Sequence, residues 1–276
     1  MTTNDNFVLL TKSEFIVTLM KINLTAFFLV FFSISLWAQD EKQVSFDISP
    51  GYALQNFYDR GQTGVPIAAG GFSLRLNYMR SKQVTHSFMI DGAYFPDISF
   101  KQTKLGIGYF LNLNYQFIRN KPVYRNNVFQ LSIGGFAGCV GNVKYFETLD
   151  NNKFSYLVSF FQAGPLVRVT VPLKPAGVAK QKQLSWLVSI PVASFTASSS
   201  YSSLGQPNGF GIVSLNKRIY LSSEIVLQKS GSKRGLNFGY RWDYEHSTEI
   251  NNLSVWGMHR LFITVFFSKT KTKTNE

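Results

Sequence analysis

The residues best suited to chemistry sit in one run near the C-terminus, Arg241-Trp242-Asp243-Tyr244-Glu245-His246-Ser247. A carboxylate beside an imidazole can activate water or a serine hydroxyl, which makes Asp243, Glu245 and His246 the candidate hydrolytic residues. Their spacing works against that role. On an extended strand, residues of equal parity share a face, so Asp243 and Glu245 point one way and His246 the other. They converge only if the strand stops before Glu245. The same run suits a histidine at a membrane interface anchored by Tyr and Trp, and no catalytic centre is expected. His259 lies between Met258 and Arg260 with no acid beside it, and His86 stands next to a basic turn. Three scattered His and the single Cys139 give no metal-ligand spacing, so neither a metal nor a cofactor is expected. Gly134, Gly135, Gly138 and Gly141 are not followed by Lys-Ser/Thr and lie in a period-two stretch. They read as strand glycines and not as a phosphate loop.

The elements that must position these residues are strands. Between 105 and 117, Leu105, Ile107, Tyr109, Leu111, Leu113, Tyr115 and Phe117 share one face, and Gly106, Gly108, Phe110, Asn112, Asn114 and Gln116 the other. A strand this long, at about 3.3 Å per residue and a tilt near 40°, spans roughly 30 Å, the thickness of a bilayer core. Comparable segments fall near 43–52, 67–79, 84–95, 128–142, 154–171, 184–195, 218–228, 235–245 and 254–267, which with 104–118 makes ten. RSKQ at 80–83, RNKPVYRNN at 119–127, PLKPAGVAKQKQ at 172–183 and KSGSKR at 229–234 are the turns. The segment GFGIVSLN at 209–216 is either an extra strand or part of a long loop, and an even strand count favours the loop.

The composition agrees. The chain of 276 residues is 45% hydrophobic but only 16% charged, with 26 Phe and one Cys. That excludes a disordered chain and a disulfide-stapled mini-protein. From Met20 the chain reads MKINLTAFFLVFFSISLWAQD, with Lys21 as a basic start, an apolar stretch to Leu36 and Ala38 before a cut at Gln39. Residues 20–38 therefore read as a cleavable signal peptide, and 1–19 as an extension upstream of the true start codon. The remainder, 39–276, is one domain with a short basic tail at 268–276.

The signal peptide, the alternating strands and the aromatic-rich end MHRLFITVFF resemble those of Gram-negative outer-membrane β-barrel proteins. The resemblance implies an all-β fold, a single transmembrane antiparallel up-and-down β-barrel of about ten strands within a range of eight to twelve, in the outer membrane. It also implies an assembly signal at the last strand, matched here by Phe266 and Phe267, read by the barrel assembly machinery. The sequence departs from the pattern by adding SKTKTKTNE after it. Ten-stranded proteases of this class carry Asp-x-His on one strand, a pattern missing from 241–247. The resemblance implies fold and location, and no particular activity.

Inside a barrel the charges must be sorted, because Arg or Lys facing lipid at mid-depth costs about 2–4 kcal/mol. Eight charges fall inside the expected strands, their end residues apart: Asp47, Arg75, Asp91, Arg168, Glu224, Arg241, Asp243 and Arg260. Each stands opposite an apolar face, so all eight are assigned to the lumen, four of each sign. Enclosed charges need partners, and this balanced set predicts a plugged lumen. Tyr94, Phe95, Tyr240, Trp242, Tyr244 and Trp256 fall near strand ends and are assigned to the aromatic girdles where a barrel meets the membrane surfaces. The formal net charge is +13. Nearly all of it falls on the turns and tail at the end holding both termini. Such a rim attracts anionic headgroups or an acidic periplasmic partner. It does not mark a nucleic-acid binder, because the cations are scattered through turns of an exported chain. The function expected is a structural or accessory envelope barrel that binds a partner, with a narrow solute channel as the alternative and a rim hydrolase a distant third.

Overall fold

The computed structural model describes residues 43–59, 67–98, 103–148, 153–173, 182–199, 209–213, 218–229, 234–247 and 254–270. The assigned signal peptide, the upstream extension, the loop tips and the last six residues of the tail lie outside them. The strands all belong to the unit Lys42–Glu276.

Thirteen strand segments form one antiparallel sheet: β1 (Gln43–Asp59), β2 (Ile67–Ser81), β3 (Val84–Phe95), β4 (Thr103–Arg119), β5 (Tyr124–Arg125), β6 (Gln130–Thr148), β7 (Lys153–Pro172), β8 (Lys182–Ser189), β9 (Ala193–Ser199), β10 (Gly209–Val213), β11 (Arg218–Lys229), β12 (Arg234–Ser247) and β13 (Ser254–Thr270). The sheet closes on itself, because β13 pairs with β1 from Gln43↔Thr270 to Asp59↔Ser254, and β6 pairs with β7. The result is a ten-strand barrel. Segments β8 and β9 both pair with β7, from Gln183↔Pro172 to Ser189↔Leu166 and from Ala193↔Ala163 to Ser199↔Leu157, and so form one barrel strand broken at Pro191. Segments β10 and β11 lie along β9 and β8 and form the next. The stretch 209–213 is thus neither a separate strand nor a loop but the upper half of the eighth barrel strand. The two-residue β5 pairs only with the start of β6, where Asn126 Oδ1 accepts from the backbone N–H groups of Val128 and Phe129 to close the turn.

Several strands run further toward the long loops than the sequence suggests. β1 ends at Asp59, not near 52, and β6 continues to Thr148, not 142. The alternation carries on through polar residues: Ala53, Gln55 and Phe57 are buried while Leu54 and Asn56 are exposed. Lys144, beyond the strand expected at 128–142, and Glu245, at the very end of the one expected at 235–245, therefore lie within strands.

Alternation sets inside from outside on every strand. On β4, Phe110, Asn112 and Asn114 are buried, while Tyr109, Leu111 and Phe117 are about half exposed. The outer face carries cross-strand aromatic ladders. One runs Phe267–Phe46–Tyr78–Phe88–Tyr115 over β13, β1, β2, β3 and β4, and another runs Tyr52–Phe72–Tyr94–Tyr109 over β1 to β4. A band of exposed Phe, Tyr, Leu and Ile around a closed sheet is what a lipid environment requires, because closure lets the barrel strands satisfy one another's backbones.

Candidate functional site

The interior holds the charges. Among the described residues with described side chains, every strand carboxylate faces the lumen: Asp47, Asp91, Glu224, Asp243 and Glu245. Facing them are Arg75, Arg168, Arg241, Arg260 and Lys144. The strands bring six of these together near mid-barrel. The register sets Arg75 opposite Asp91, Glu224 opposite Arg241 and Arg241 opposite Arg260. Arg75 Nη1 donates to Glu224 Oε2 at 2.9 Å, and its Nη2 lies 3.6 Å from Asp91 Oδ2. Arg241 reaches Asp243 at 3.0 Å, Asp91 at 3.6 Å and Glu224 at 3.7 Å. Arg260 bridges Asp91 and Asp243 at close range. Three guanidinium groups and three carboxylates thus form one neutral lattice, five of whose six members are almost wholly buried. Two members of the sequence-derived set stand apart. Asp47 accepts from Asn77 Nδ2 at 3.3 Å, and Arg168 makes no direct ion pair with a described residue but lies in the field of Glu224.

Sequence reasoning missed the groups that brace this lattice. Tyr220 donates its hydroxyl to Asp243 Oδ1 at 2.8 Å. The Arg75 guanidinium lies 4.5 Å above the Phe262 ring, and that of Arg260 lies 5.2 Å from Phe110. Lys144 points its ammonium into the Phe57 ring at 3.2 Å. Parity was the available signal: Tyr220 shares a face with Glu224, and Lys144 with Val140 and Asn142.

On the loop side of the lattice, the lumen is packed with apolar side chains: Phe57, Ile67, Phe95, Ile98, Phe110, Val140, Phe160, Tyr220, Trp256 and Met258. Trp256 stacks on Phe110 at 5.4 Å and lies 6.4 Å from Tyr220. This corrects the assignment of Phe95 and Trp256 to the membrane-facing girdle. Both are under 4% exposed and point inward, because Phe95 is four residues from Asp91 and Trp256 four from Arg260. Tyr94, Tyr240, Trp242 and Tyr244 do lie on the outer face. Of the terminal pair, Phe267 is outward and 43% exposed, while Phe266 turns to the inner face, where Gly235 leaves room for its ring. Toward the turns the packing is thinner, with a small cluster of Ile118, Phe136, Leu166 and Leu187. Ser87, Gln116, Gln228 and Asn237 there are only partly covered.

No acid–imidazole pair forms from the candidate hydrolytic residues. Asp243 is held by two arginines and a tyrosine, Glu245 faces the lumen, and His246 is on the outer face. The other two histidines also face outward. His259 Nδ1 is 2.6 Å from Tyr240 Oη and His86 Nδ1 is 2.7 Å from Tyr115 Oη. Among the described residues, no group of three His, Cys, Asp or Glu could hold a metal ion.

No protein-family model matches the chain, and no curated protein does. Solved structures similar to it include the translocator domain of the autotransporter NalP from Neisseria meningitidis. That likeness has 11% identity, covers 91% of this chain and 97% of that one, and has a TM-score of 0.41. The outer membrane protease OmpT from Escherichia coli is 10% identical over 83% of this chain and 97% of that chain, at a TM-score of 0.40. Ail, the attachment invasion locus protein of Yersinia pestis, is 12% identical over 83% and 100%, at 0.33. Likenesses this distant carry no argument about role.

Proposed function

We propose that this chain is an outer-membrane barrel sealed by its own side chains, serving the envelope as a structural or accessory component and not as an enzyme or a wide pore. The observation that carries the reading is the neutral Arg75–Arg241–Arg260 and Asp91–Glu224–Asp243 lattice beneath a packed aromatic cap. A barrel of about this size is nearly filled by its side chains, and paired charges at the centre leave no fixed site of one sign to draw ions through. Export by the 20–38 segment and insertion by the barrel assembly machinery belong to the same reading.

Single-channel recording in planar bilayers tests it. The wild-type barrel is expected to be silent, and Arg241→Ala, which leaves Asp91, Glu224 and Asp243 short of a counter-charge, is expected to leak. Steady wild-type steps would overturn the sealed reading.

One observation favours a second reading, a narrow path for water or small solutes. Asn112 and Asn114 on β4 and Gln162 on β7, the two strands flanking β6, are buried, yet each has an amide atom without a protein hydrogen-bond partner. Buried polar atoms of this kind are ordinarily satisfied by water. Small wild-type conductance lost on Asn114→Leu would select that path.

A further inference from the structure

The outer face carries charge of one sign at one rim. Five cations lie within two residues of a strand end on the side of the short turns: Arg80 on β2, Arg119 on β4, Lys182 on β8, Arg234 on β12 and Lys269 on β13. Parity places all five outward. Each comes one same-face step beyond an apolar residue of the lipid-facing band, namely Tyr78, Phe117, Leu184, Leu236 and Phe267. Lys182 and Lys229 stand directly opposite each other across the β8–β11 ladder. Like charges at that spacing destabilise a sheet unless an anion lies between them.

We propose that this collar binds the headgroup phosphates of anionic phospholipids in the bilayer leaflet on the side of the short turns. The direction of the side chains selects that occupant. They extend sideways from the end of the apolar band, into the layer where headgroups lie, and not down from the barrel mouth toward a soluble partner. Lysine and arginine at that depth also reach headgroups while their stems stay on the apolar wall. The inference rests on the membrane reading above.

The test uses the full chain, refolded into phosphatidylcholine vesicles doped with brominated phosphatidylglycerol or brominated phosphatidylcholine. Trp186, 47% exposed on the outer face and four residues from Lys182, reports which lipid sits beside the wall. The wild type is expected to favour the anionic lipid by about fivefold, with the preference lost in high salt. Lys182→Gln/Lys229→Gln is expected to lower it, and Lys182→Arg/Lys229→Arg to keep it. Gel mobility of unheated samples shows whether each variant has folded. Should the glutamine pair misfold, the salt titration of the wild type decides alone. Equal quenching by the two lipids, or a preference the glutamine pair retains, overturns the collar. So does a preference abolished by millimolar inorganic phosphate, which would make the site one for a free anion, and so does one abolished only by an acidic protein. Failure to insert into any vesicle overturns the membrane reading instead.

Discussion

At the scale of single residues, the interior is governed by the cost of unpaired charge. Arg260 bridges Asp91 and Asp243, so Arg260→Ala leaves two carboxylates buried with less compensation. Breaking a buried pair from one side costs about 3–5 kcal/mol. Urea unfolding of the variant, followed by tryptophan fluorescence, is expected to show a loss of that size. Tyr220→Phe removes only the hydrogen bond to Asp243 and is expected to cost about 1.5–3 kcal/mol, the range for a bond to a charged group. Equal midpoints for Tyr220→Phe and the wild type would mean that Asp243 is held by its arginines alone. Most of the lattice was legible in the sequence, because a charge between apolar neighbours on a strand has only one tolerable direction. Tyr220 was not, since a tyrosine is at home on either face and only its distance from Glu224 along the strand assigns it. Position near a strand end points Phe95 and Trp256 to the girdle, while parity sends both inward. Parity is the stronger rule, since it is fixed by backbone geometry.

At the scale of the strand, one step along the chain exchanges the outer wall for the lumen. Arg260 and Leu261 are neighbours, the first 1% and the second 63% exposed. Leu261→Arg is therefore expected to cost about 2–4 kcal/mol and to lower refolding yield into vesicles, although an arginine one residue earlier is native. Gly71 shows a second constraint. A Cβ there would run into the carbonyl oxygen of Tyr94 and come within 2.8 Å of the Phe95 ring. Gly71→Val is expected to displace Phe95 from the cap and slow closure of β2 on β3, read as a longer-lived unfolded band on unheated gels. The hairpins were readable because turn residues separate long alternating runs. Strand ends were not, because Gln55, Asn56 and Lys144 continue the alternation without the hydrophobicity that announces it. The division of the seventh barrel strand into β8 and β9 has a clear chemical cause at Pro191, which has no N–H to offer a neighbour. Its effect on pairing with β10 and β11 needed the register.

At the scale of the whole molecule, the exterior alone decides where the protein can live. Pairing of β13 with β1 and of β6 with β7 closes the barrel wall, and the outer face then offers solvent Phe, Tyr, Leu and Ile. Carbonate washing of membranes is expected to leave the protein in the pellet. Release into the supernatant would mean that this wall is covered by something other than lipid.

The balance of the interior has a consequence for gating. A membrane potential does work only on charge that moves through it, about 2.3 kcal/mol per elementary charge per 100 mV. The three arginines and three acids of the lattice sum to zero, so a plug displaced as one body carries no gating charge. On the proposed sealed reading, raising the voltage gives no leverage on the lattice. Whatever opens this barrel must instead separate the ion pairs one at a time, as concentrated salt or denaturant would.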